Sequence, residues 1–166
     1  MFERPLYRTR QFFGAFRPRV ESGERAEAQE RLGEQLLALF ASMTERDQRH
    51  SLDVMRTLKE RGCRDDDLLM AALLHDAGKG RLAGVSIRLW HRVAYVLTAT
   101  GAPWALSRLE SGRGGLAALH HHAERGAVVA EALGAPSAVV ELVRRHDERD
   151  SPDERLRLLR AADDSC

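Results

Sequence analysis

The sequence predicts an all-α fold. Strand patterns are scarce, because no run alternates β-branched and polar residues and no Asn-Gly pair marks a hairpin turn. Helical spacing of apolar residues instead recurs from about residue 24 to the C-terminus. Residues that favour helix starts and helix ends separate these stretches. A chain of 166 residues suits one domain that buries most of its apolar surface.

The first two predicted helices are separated by a short link. The first covers residues 24–40 and is apolar near its end. The second begins at Thr44, with Asp47 three residues later in a capping-box-like arrangement. Gly62 ends this second helix, since glycine readily adopts the backbone conformation that closes a helix.

The third predicted helix is the most apolar in the chain. Three consecutive aspartates at 65–67 precede it, and a helix N-terminus favours negative charge. Residues 68–74 are apolar on every side, which indicates a central buried helix. Gly78 and Gly80 end it.

The second half of the chain predicts five further helices. A glycine-rich stretch at 111–115 divides them, Gly134 closes one, and Pro136 begins the next at its first turn. Before the last helix, Ser151 is the predicted N-cap, with a proline next and Glu154 three residues on. The predicted helices cover residues 86–99, 104–109, 116–133, 136–146 and 152–163.

Composition places the chain among ordinary soluble domains. It is 43% hydrophobic and 31% charged with a net charge of +1, so the totals indicate neither nucleic-acid nor membrane-surface binding. Cys63 and Cys166 are too few for a disulfide framework or a cysteine zinc site. No apolar run approaches the roughly 20 residues that cross a bilayer, and arginines interrupt the N-terminus. We therefore expect a cytoplasmic protein without a nucleic-acid partner or a membrane span.

The first twenty residues differ from the rest. They carry five arginines against a single acid, Glu3, with aromatic residues interleaved. The predicted organisation is therefore a basic, aromatic N-terminal arm at 1–20 and a domain at 21–166. We expect the arm to pack on the domain or on a second subunit, which leaves a homodimer open. The competing interpretation is an anchor to an anionic surface.

Several histidines and aspartates fall on the apolar faces of the predicted helices. His50 shares a helix face with Val54 and Leu58, and His146 continues the stripe that contains Val139 and Val143. A lone histidine on such a face is usually a core residue with one hydrogen bond, and a lone aspartate at a helix end is usually a cap. The combination is more informative. Six metal-competent side chains, on five predicted helices, point toward the core: His50, His75, Asp76, His122, His146 and Asp163.

Burying these side chains is unfavourable unless each finds a partner. An unpaired buried carboxylate or imidazole destabilises the fold, whereas a shared divalent cation satisfies all of them together. Imidazole and carboxylate ligands without a thiolate suit Fe, Mn, Co, Ni or Zn. The sequence therefore predicts a site for one or two divalent metal ions.

Of the three consecutive histidines at 120–122, only His122 is a predicted ligand. The first two share helix faces with Glu124 and Arg125, which indicates exposure to solvent. His122 has Gly126 four residues on, and this small residue would let a neighbouring helix come close.

The order and local context of these residues resemble the HD-domain superfamily of metal-dependent phosphohydrolases. Residues 73–79, Leu-Leu-His-Asp-Ala-Gly-Lys, are similar to the core segment of the family. Residues 122–127 resemble its third motif, and residues 159–163 its final aspartate. The resemblance covers residues 44–164. It implies a compact multi-helix bundle of the HD-domain type, with ligands converging from five helices.

The resemblance also implies a metal-ligand set. Members with only the first histidine, the His-Asp pair and the last aspartate usually hold one metal, whereas two further histidines mark a dinuclear subgroup. This sequence contains both further histidines. Two metals close together can clamp a phosphoryl group, bind a hydroxide and stabilise the leaving oxygen. One metal would be held by His50, His75, Asp76 and Asp163, and the second by His122, His146 and a bridging Asp76.

The activity implied by the resemblance is hydrolysis of a phosphate ester, of a nucleotide or dinucleotide, by a metal-bound hydroxide. Asp76 is the first catalytic candidate. Lys79 is the second, because its ammonium can meet a substrate phosphate as a point charge; an ordinary solvated lysine is the alternative. A non-catalytic HD-type signalling or binding module and di-iron oxygenase-like chemistry are the alternative functions.

The absence of two motifs narrows the set of HD-domain subgroups that the sequence resembles. No Gly-Tyr-Pro follows the third motif, so cyclic-dinucleotide phosphodiesterases with that signature match poorly. No Glu-Asp pair follows Asp76, which disfavours the hydrolases of guanosine tetraphosphate alarmones. We expect substrate specificity to come from residues 80–115, which suggest a helical lid.

Overall fold

The computed structural model describes residues 19–83 and 121–166. Within these two ranges the structure is helical and has no strand, which confirms the predicted all-α class. None of the helices there is both long and apolar enough to span a membrane. The arm up to residue 18 and the predicted helices at 86–99 and 104–109 lie outside the described residues, as do most of the predicted lid and its glycine-rich stretch. The helices are α1 (Ser22–Ala41), α2 (Glu45–Glu60), α3 (Asp66–Leu74), α4 (His122–Ala132), α5 (Ser137–Arg145) and α6 (Glu154–Asp163), with short 3-10 turns at Ala77–Lys79 and Arg81–Ala83.

The predicted start of α2 is confirmed, and one of the three aspartates predicted to precede α3 is the N-cap of that helix. The Thr44 side chain accepts a hydrogen bond from the Asp47 backbone N–H at 3.3 Å, so α2 begins where its sequence indicates. The Asp65 carboxylate accepts from the Leu68 N–H at 3.1 Å and caps α3. Each cap satisfies a backbone donor that has no partner within its helix.

Two glycines end helices as predicted. Gly62 follows α2 with φ 85°, and Gly134 follows α4 with φ 83°. Residues with side chains rarely adopt this left-handed region, so glycine is the residue that closes the helix there. A third glycine, Gly33, has φ 65° inside α1 and kinks that helix, which the sequence did not indicate.

The predicted start of the last helix is wrong by two residues. Asp153, not Ser151, is the N-cap of α6, and its carboxylate accepts from the Arg155 N–H at 2.9 Å. The helix therefore begins at Glu154 rather than at Pro152. Serine and aspartate are comparable caps, and the Ser151 hydroxyl is engaged by the Asp153 N–H at 3.3 Å in the preceding turn.

One other helix begins later than predicted, and the single helix predicted over 116–133 is not continuous. α4 starts at His122, because His121 has φ −104° and ψ 16° and lies outside the helix; the predicted start at residue 116 lies outside the described residues. α5 starts at Ser137, with Pro136 as its N-cap rather than its first helical residue. Helix boundaries commonly differ by such amounts, since local pattern leaves the cap position open.

The central position of α3 is as predicted. This helix packs against α1, α2, α5 and α6. Ala71, Ala72, Leu73 and Leu74 are completely buried within it. Burial of a leucine side chain contributes about 1.5–3 kcal/mol, so this helix anchors the core. Residues 75 and 76, which directly follow its C-terminal end, consequently lie in the protein interior.

A contact between two glycines brings the turn after α3 against α4. A Cβ atom added to Gly78 would lie 1.8 Å from the backbone oxygen of His122, and one added to Gly126 would lie 2.9 Å from the nitrogen of Gly78. Only residues without side chains allow the two backbones to approach this closely. Gly126 thus permits a close approach as predicted, but the neighbour is the 3-10 turn rather than a helix.

Candidate metal centre

The six predicted ligands come together beyond the C-terminal end of α3. His50 lies in α2, His122 begins α4, and Asp163 ends α6. The remaining three follow helices, since His75 and Asp76 come after α3 and residue 146 comes after α5. The side chains of His50 and Asp163 are 28% and 32% exposed. Four residues of the set are buried: His75, Asp76, His122 and His146.

We call His50, His75 and Asp163 the first group. The His50 Nε2–H donates a hydrogen bond to Asp163 Oδ1 at 2.8 Å. The same oxygen lies 3.6 Å from His75 Nε2, and the two rings meet edge to face with centroids 5.4 Å apart. A single carboxylate oxygen thus faces two imidazoles.

We call His122 and His146 the second group. Their Nε2 atoms are 3.1 Å apart, and both residues are buried. Asp76 lies between the two groups, with Oδ1 3.4 Å from His122 Nε2 and 3.8 Å from His75 Nε2. Ligand atoms of His50, His75 and Asp76 lie within 4.8 Å of one another, and so do those of Asp76, His122 and His146. Asp76 is therefore common to two possible cation sites.

Backbone carbonyls orient two of the imidazoles. His75 Nδ1 donates to the Ala72 carbonyl at 2.9 Å, and His146 Nδ1 donates to the Val143 carbonyl at 2.7 Å. Both carbonyls belong to the last turn of a helix, where they lack intrahelical partners. With the proton on Nδ1, each neutral ring presents the lone pair of Nε2 toward the centre.

The donor set fits a divalent cation. His75 Nε2 is buried and has no hydrogen-bond partner among the described residues. An unsatisfied buried polar atom costs about 1–3 kcal/mol, so a native fold normally gives it a partner. A cation bound to His75 Nε2 would give this nitrogen the partner it lacks. Imidazoles and carboxylates without a thiolate are the ligands of catalytic rather than structural zinc-class sites.

Opposite charges act on His75 and the carboxylates around it. Burial disfavours a charged ring, but the charges of Asp76 and Asp163 outweigh it and raise the pKa of His75 to about 9. Burial likewise disfavours the Asp76 carboxylate, yet the charges of Lys79 and His75 hold its pKa well below the ordinary 3.8. The centre therefore favours a positive charge at His75 Nε2, the place a cation would take.

The pKa values of His146 and Asp163 are also shifted, each for a different reason. Burial and the charge of His75 lower the pKa of His146 to about 4, so this imidazole is neutral and ready to act as a ligand. Burial disfavours the ionised form of Asp163, but the hydrogen bond from His50 and the nearby charge of His75 outweigh it and hold its pKa well below the usual range. Neutral imidazole and ionised carboxylate are the forms that bind a metal.

Lys79 lies within the centre. Its ammonium pairs with Asp76 Oδ1, and only 15% of its side chain is exposed. This position differs from that of an ordinary solvated lysine, although a role toward phosphate stays a prediction. Arg145, the basic residue directly before His146, pairs with Glu148 at 2.8 Å and with Glu141 at 3.4 Å, so it belongs to a surface network of charges.

The sequence reasoning missed Asp147. Its Oδ2 lies 3.6 Å from His122 Nε2, and its Oδ1 lies 3.6 Å from His146 Nε2. Asp147 follows α5 and does not continue an apolar stripe, so the periodicity of the helix faces does not indicate it. One signal was available, because an acid at a helix C-terminus is unfavourably placed and directly follows a predicted ligand.

Comparison with known proteins supports the same interpretation. A family model described as HD domain matches residues 48–165, which is most of the chain and includes all six candidate ligands. Neither the curated proteins nor the solved structures gave a match. HD domains bind divalent metals, and most members of the family are metal-dependent phosphohydrolases. The chain therefore belongs to the HD domain family.

Proposed function

We propose that this protein is a metal-dependent phosphohydrolase that cleaves a phosphate ester of a nucleotide or dinucleotide. The proposal rests on the position of Asp76, which is shared by two sets of ligand atoms whose residues are all buried except His50. A carboxylate between two such sets is the arrangement expected of a bridging ligand. Membership of the HD domain family supports the same chemistry.

The proposed ligands divide into two overlapping sets. Bound cations would supply positive charge to the phosphoryl oxygens and lower the pKa of a water molecule. The protein's own part is orientation, since the carbonyls of Ala72 and Val143 hold the rings of His75 and His146 toward the centre. One cation would be held by His50, His75, Asp76 and Asp163. The other would be held by Asp76, His122 and His146.

Lys79 is the proposed phosphate-binding residue. Its ammonium is close enough to the centre to pair with Asp76, and its partial exposure leaves it accessible to a ligand. If Asp76 held a cation, the ammonium would no longer be needed to neutralise this carboxylate. Lys79 could then bind a substrate phosphate as a point charge.

A substrate screen tests the proposal. Phosphomonoesters, cyclic nucleotides and dinucleoside polyphosphates are each incubated with the protein and Mn(II), Fe(II), Co(II) or Ni(II), and phosphate or nucleotide release is measured. We expect turnover of at least one class with at least one metal. Metal binding without turnover in every combination would favour a binding module, and iron redox signals with oxygen uptake would favour oxygenase chemistry.

Single-residue variants test whether that activity depends on the candidate metal centre. Asp76→Ala is expected to abolish metal binding and turnover, because it removes the shared carboxylate, while the circular dichroism of the helices stays unchanged. Lys79→Ala is expected to raise KM for the phosphate ester about tenfold or more, because the variant loses a charged contact with the phosphate. Asp150→Ala, an exposed acid, is the control. Full activity in Asp76→Ala would contradict the assignment.

A further inference from the structure

The second group has an additional carboxylate at its solvent side. Asp147 faces both histidines of the pair, with one oxygen 3.6 Å from each Nε2 atom. Its side chain is 59% exposed, whereas those of His122 and His146 are 8% and 3% exposed. Asp147 therefore lies at the rim of a buried imidazole pair and directs a different oxygen to each ring.

The separations between these atoms match those of ligands around one cation. Imidazole and carboxylate bonds to zinc-class metals are about 2.1 Å long, which separates adjacent ligand atoms by about 3.0 Å in an octahedron and about 3.4 Å in a tetrahedron. The two Nε2 atoms of the pair are 3.1 Å apart, and His122 Nε2 lies 3.4 Å from Asp76 Oδ1. Each Asp147 oxygen lies 3.6 Å from one of these two nitrogens, slightly beyond those values, so the exposed side chain would have to rotate to direct one oxygen toward a cation held by the pair.

Charge provides an independent argument. The first group has its own carboxylate, Asp163, in addition to the shared Asp76. Among the residues that the structure describes, the second group without Asp147 has two imidazoles and only a share of the charge of Asp76. A divalent cation there would be buried with little compensating charge, which is strongly unfavourable. Asp147 supplies the missing negative charge.

The backbone of Asp147 is held in place on both sides. Its carbonyl accepts a hydrogen bond from Arg160 Nη1 at 3.1 Å, and the next N–H, that of Glu148, donates to the Arg145 carbonyl at 2.9 Å. Arg160 belongs to α6, the helix that also provides Asp163. The acid follows the C-terminus of α5, where the helix dipole disfavours negative charge, so helix stability does not explain its presence.

We propose that Asp147 is a protein ligand of a divalent cation held by the second group, completing a set of two histidines and two aspartates with His122, His146 and Asp76. The inference rests on the metal centre of the proposed function and adds a ligand to it. It assigns the rim residue to metal binding rather than to the surface charge network of α5.

Cobalt binding tests the assignment without an activity assay. The full chain is stripped of metal and titrated with Co(II) by isothermal calorimetry, with stoichiometry checked by equilibrium dialysis. We expect two equivalents for the unaltered protein. In Asp147→Asn the affinity for one equivalent falls about tenfold or more while the other is unchanged, and Asp147→Glu retains part of the lost affinity. Asp150→Asn, an exposed acid in the same loop, binds both equivalents as the unaltered protein does.

Two results would overturn the assignment of Asp147, and a third would overturn the metal centre. Two equivalents with unaltered affinity in Asp147→Asn, whose circular dichroism shows an intact fold, would overturn the assignment of Asp147 and leave the metal centre standing. At most one equivalent in the unaltered protein would overturn it as well, because there would be no second cation. Unchanged Co(II) binding in His75→Ala would overturn the metal centre itself.

Discussion

The two histidine groups share Asp76 but are held together by different interactions. In the first group, the Asp163 carboxylate lies 2.8 Å from His50 and 3.6 Å from His75, so opposite charges meet inside the protein. In the second group, two imidazole nitrogens face each other at 3.1 Å, and the carboxylate of Asp147 lies at the rim. Among the described residues, a carboxylate pairs directly with an imidazole in the first group, whereas in the second group the shortest contact joins two imidazoles.

The difference shows which group depends more on a cation. The first group has favourable interactions without one, since Asp163 accepts a hydrogen bond from His50. In the second group, His146 Nε2 carries a lone pair, so His122 Nε2 must carry the proton that lies between them. Both nitrogens can present lone pairs at once only when a cation replaces that proton. The two imidazoles of the second group are thus already positioned for a cation, but one of them must lose its Nε2 proton before both can bind it.

Removing one histidine from each group is expected to give the largest effect. His50→Ala and His146→Ala should each weaken the binding of one Co(II) equivalent about 100-fold or more, because loss of a direct ligand exceeds loss of an outer partner. The other equivalent should remain in each variant. Calorimetric titration measures both constants. His121→Ala removes an exposed neighbouring imidazole and serves as the control. Loss of both equivalents in both variants would mean that the groups act as one unit.

Gly78→Ala is expected to affect the second group through packing. The added methyl group would meet the His122 carbonyl oxygen at 1.8 Å and push the turn away from α4. Overpacking of this kind costs about 1–3 kcal/mol in the free energy of unfolding, which urea denaturation measures. Co(II) binding should weaken at the second group more than at the first, because His122 moves relative to Asp76.

Gly23→Ala is the matched control for that change. An added Cβ at Gly23 meets nothing within 4 Å, and the residue lies in the first turn of α1. Alanine favours helix over glycine, so this variant should be as stable as the unaltered protein or more stable by up to about 1 kcal/mol. Equal stability of the Gly78 and Gly23 variants would contradict the close contact with α4.

The smallest expected effect concerns how α6 is fastened to α3. Arg155 in α6 donates to Asp65 at 2.8 Å. Burial raises the pKa of Asp65, but the hydrogen bonds from Leu68 N–H and Arg155 outweigh it and lower the pKa below 3.8. Asp65→Asn keeps the cap and removes the charge, so it should cost about 0.2–1 kcal/mol at neutral pH.

The sign of the pH dependence follows from that lowered pKa. The contribution of the ion pair is fully present above the ordinary value of 3.8 and is lost as the pH falls through the lower pKa of the folded protein. The stability difference between the unaltered protein and Asp65→Asn should therefore be constant at neutral pH and shrink in strong acid. Urea denaturation across that range measures it. A difference that grows toward low pH would contradict the ion pair.

Much of the candidate centre could be predicted because its signals are local. His50 and His146 share helix faces with residues that are buried, and the apolar run of α3 leads directly to His75. These patterns depend on a period of about 3.6 residues within one helix. The start of α6 was less predictable, because Ser151 and Asp153 compete for the same cap and the preceding turn decides between them.

The sequence by itself determined the helical class, the buried central helix and the six candidate ligands, because hydrophobic periodicity specifies which face of each helix turns inward. The tertiary structure alone decided which ligands meet. His50 and Asp163 are 113 residues apart in sequence and 2.8 Å apart in space. Likewise, the approach of Gly78 to α4 and the position of Asp147 beside two imidazoles result from how helices pack against one another. No pattern within a single helix encodes those distances, since they depend on side-chain volumes across the whole core.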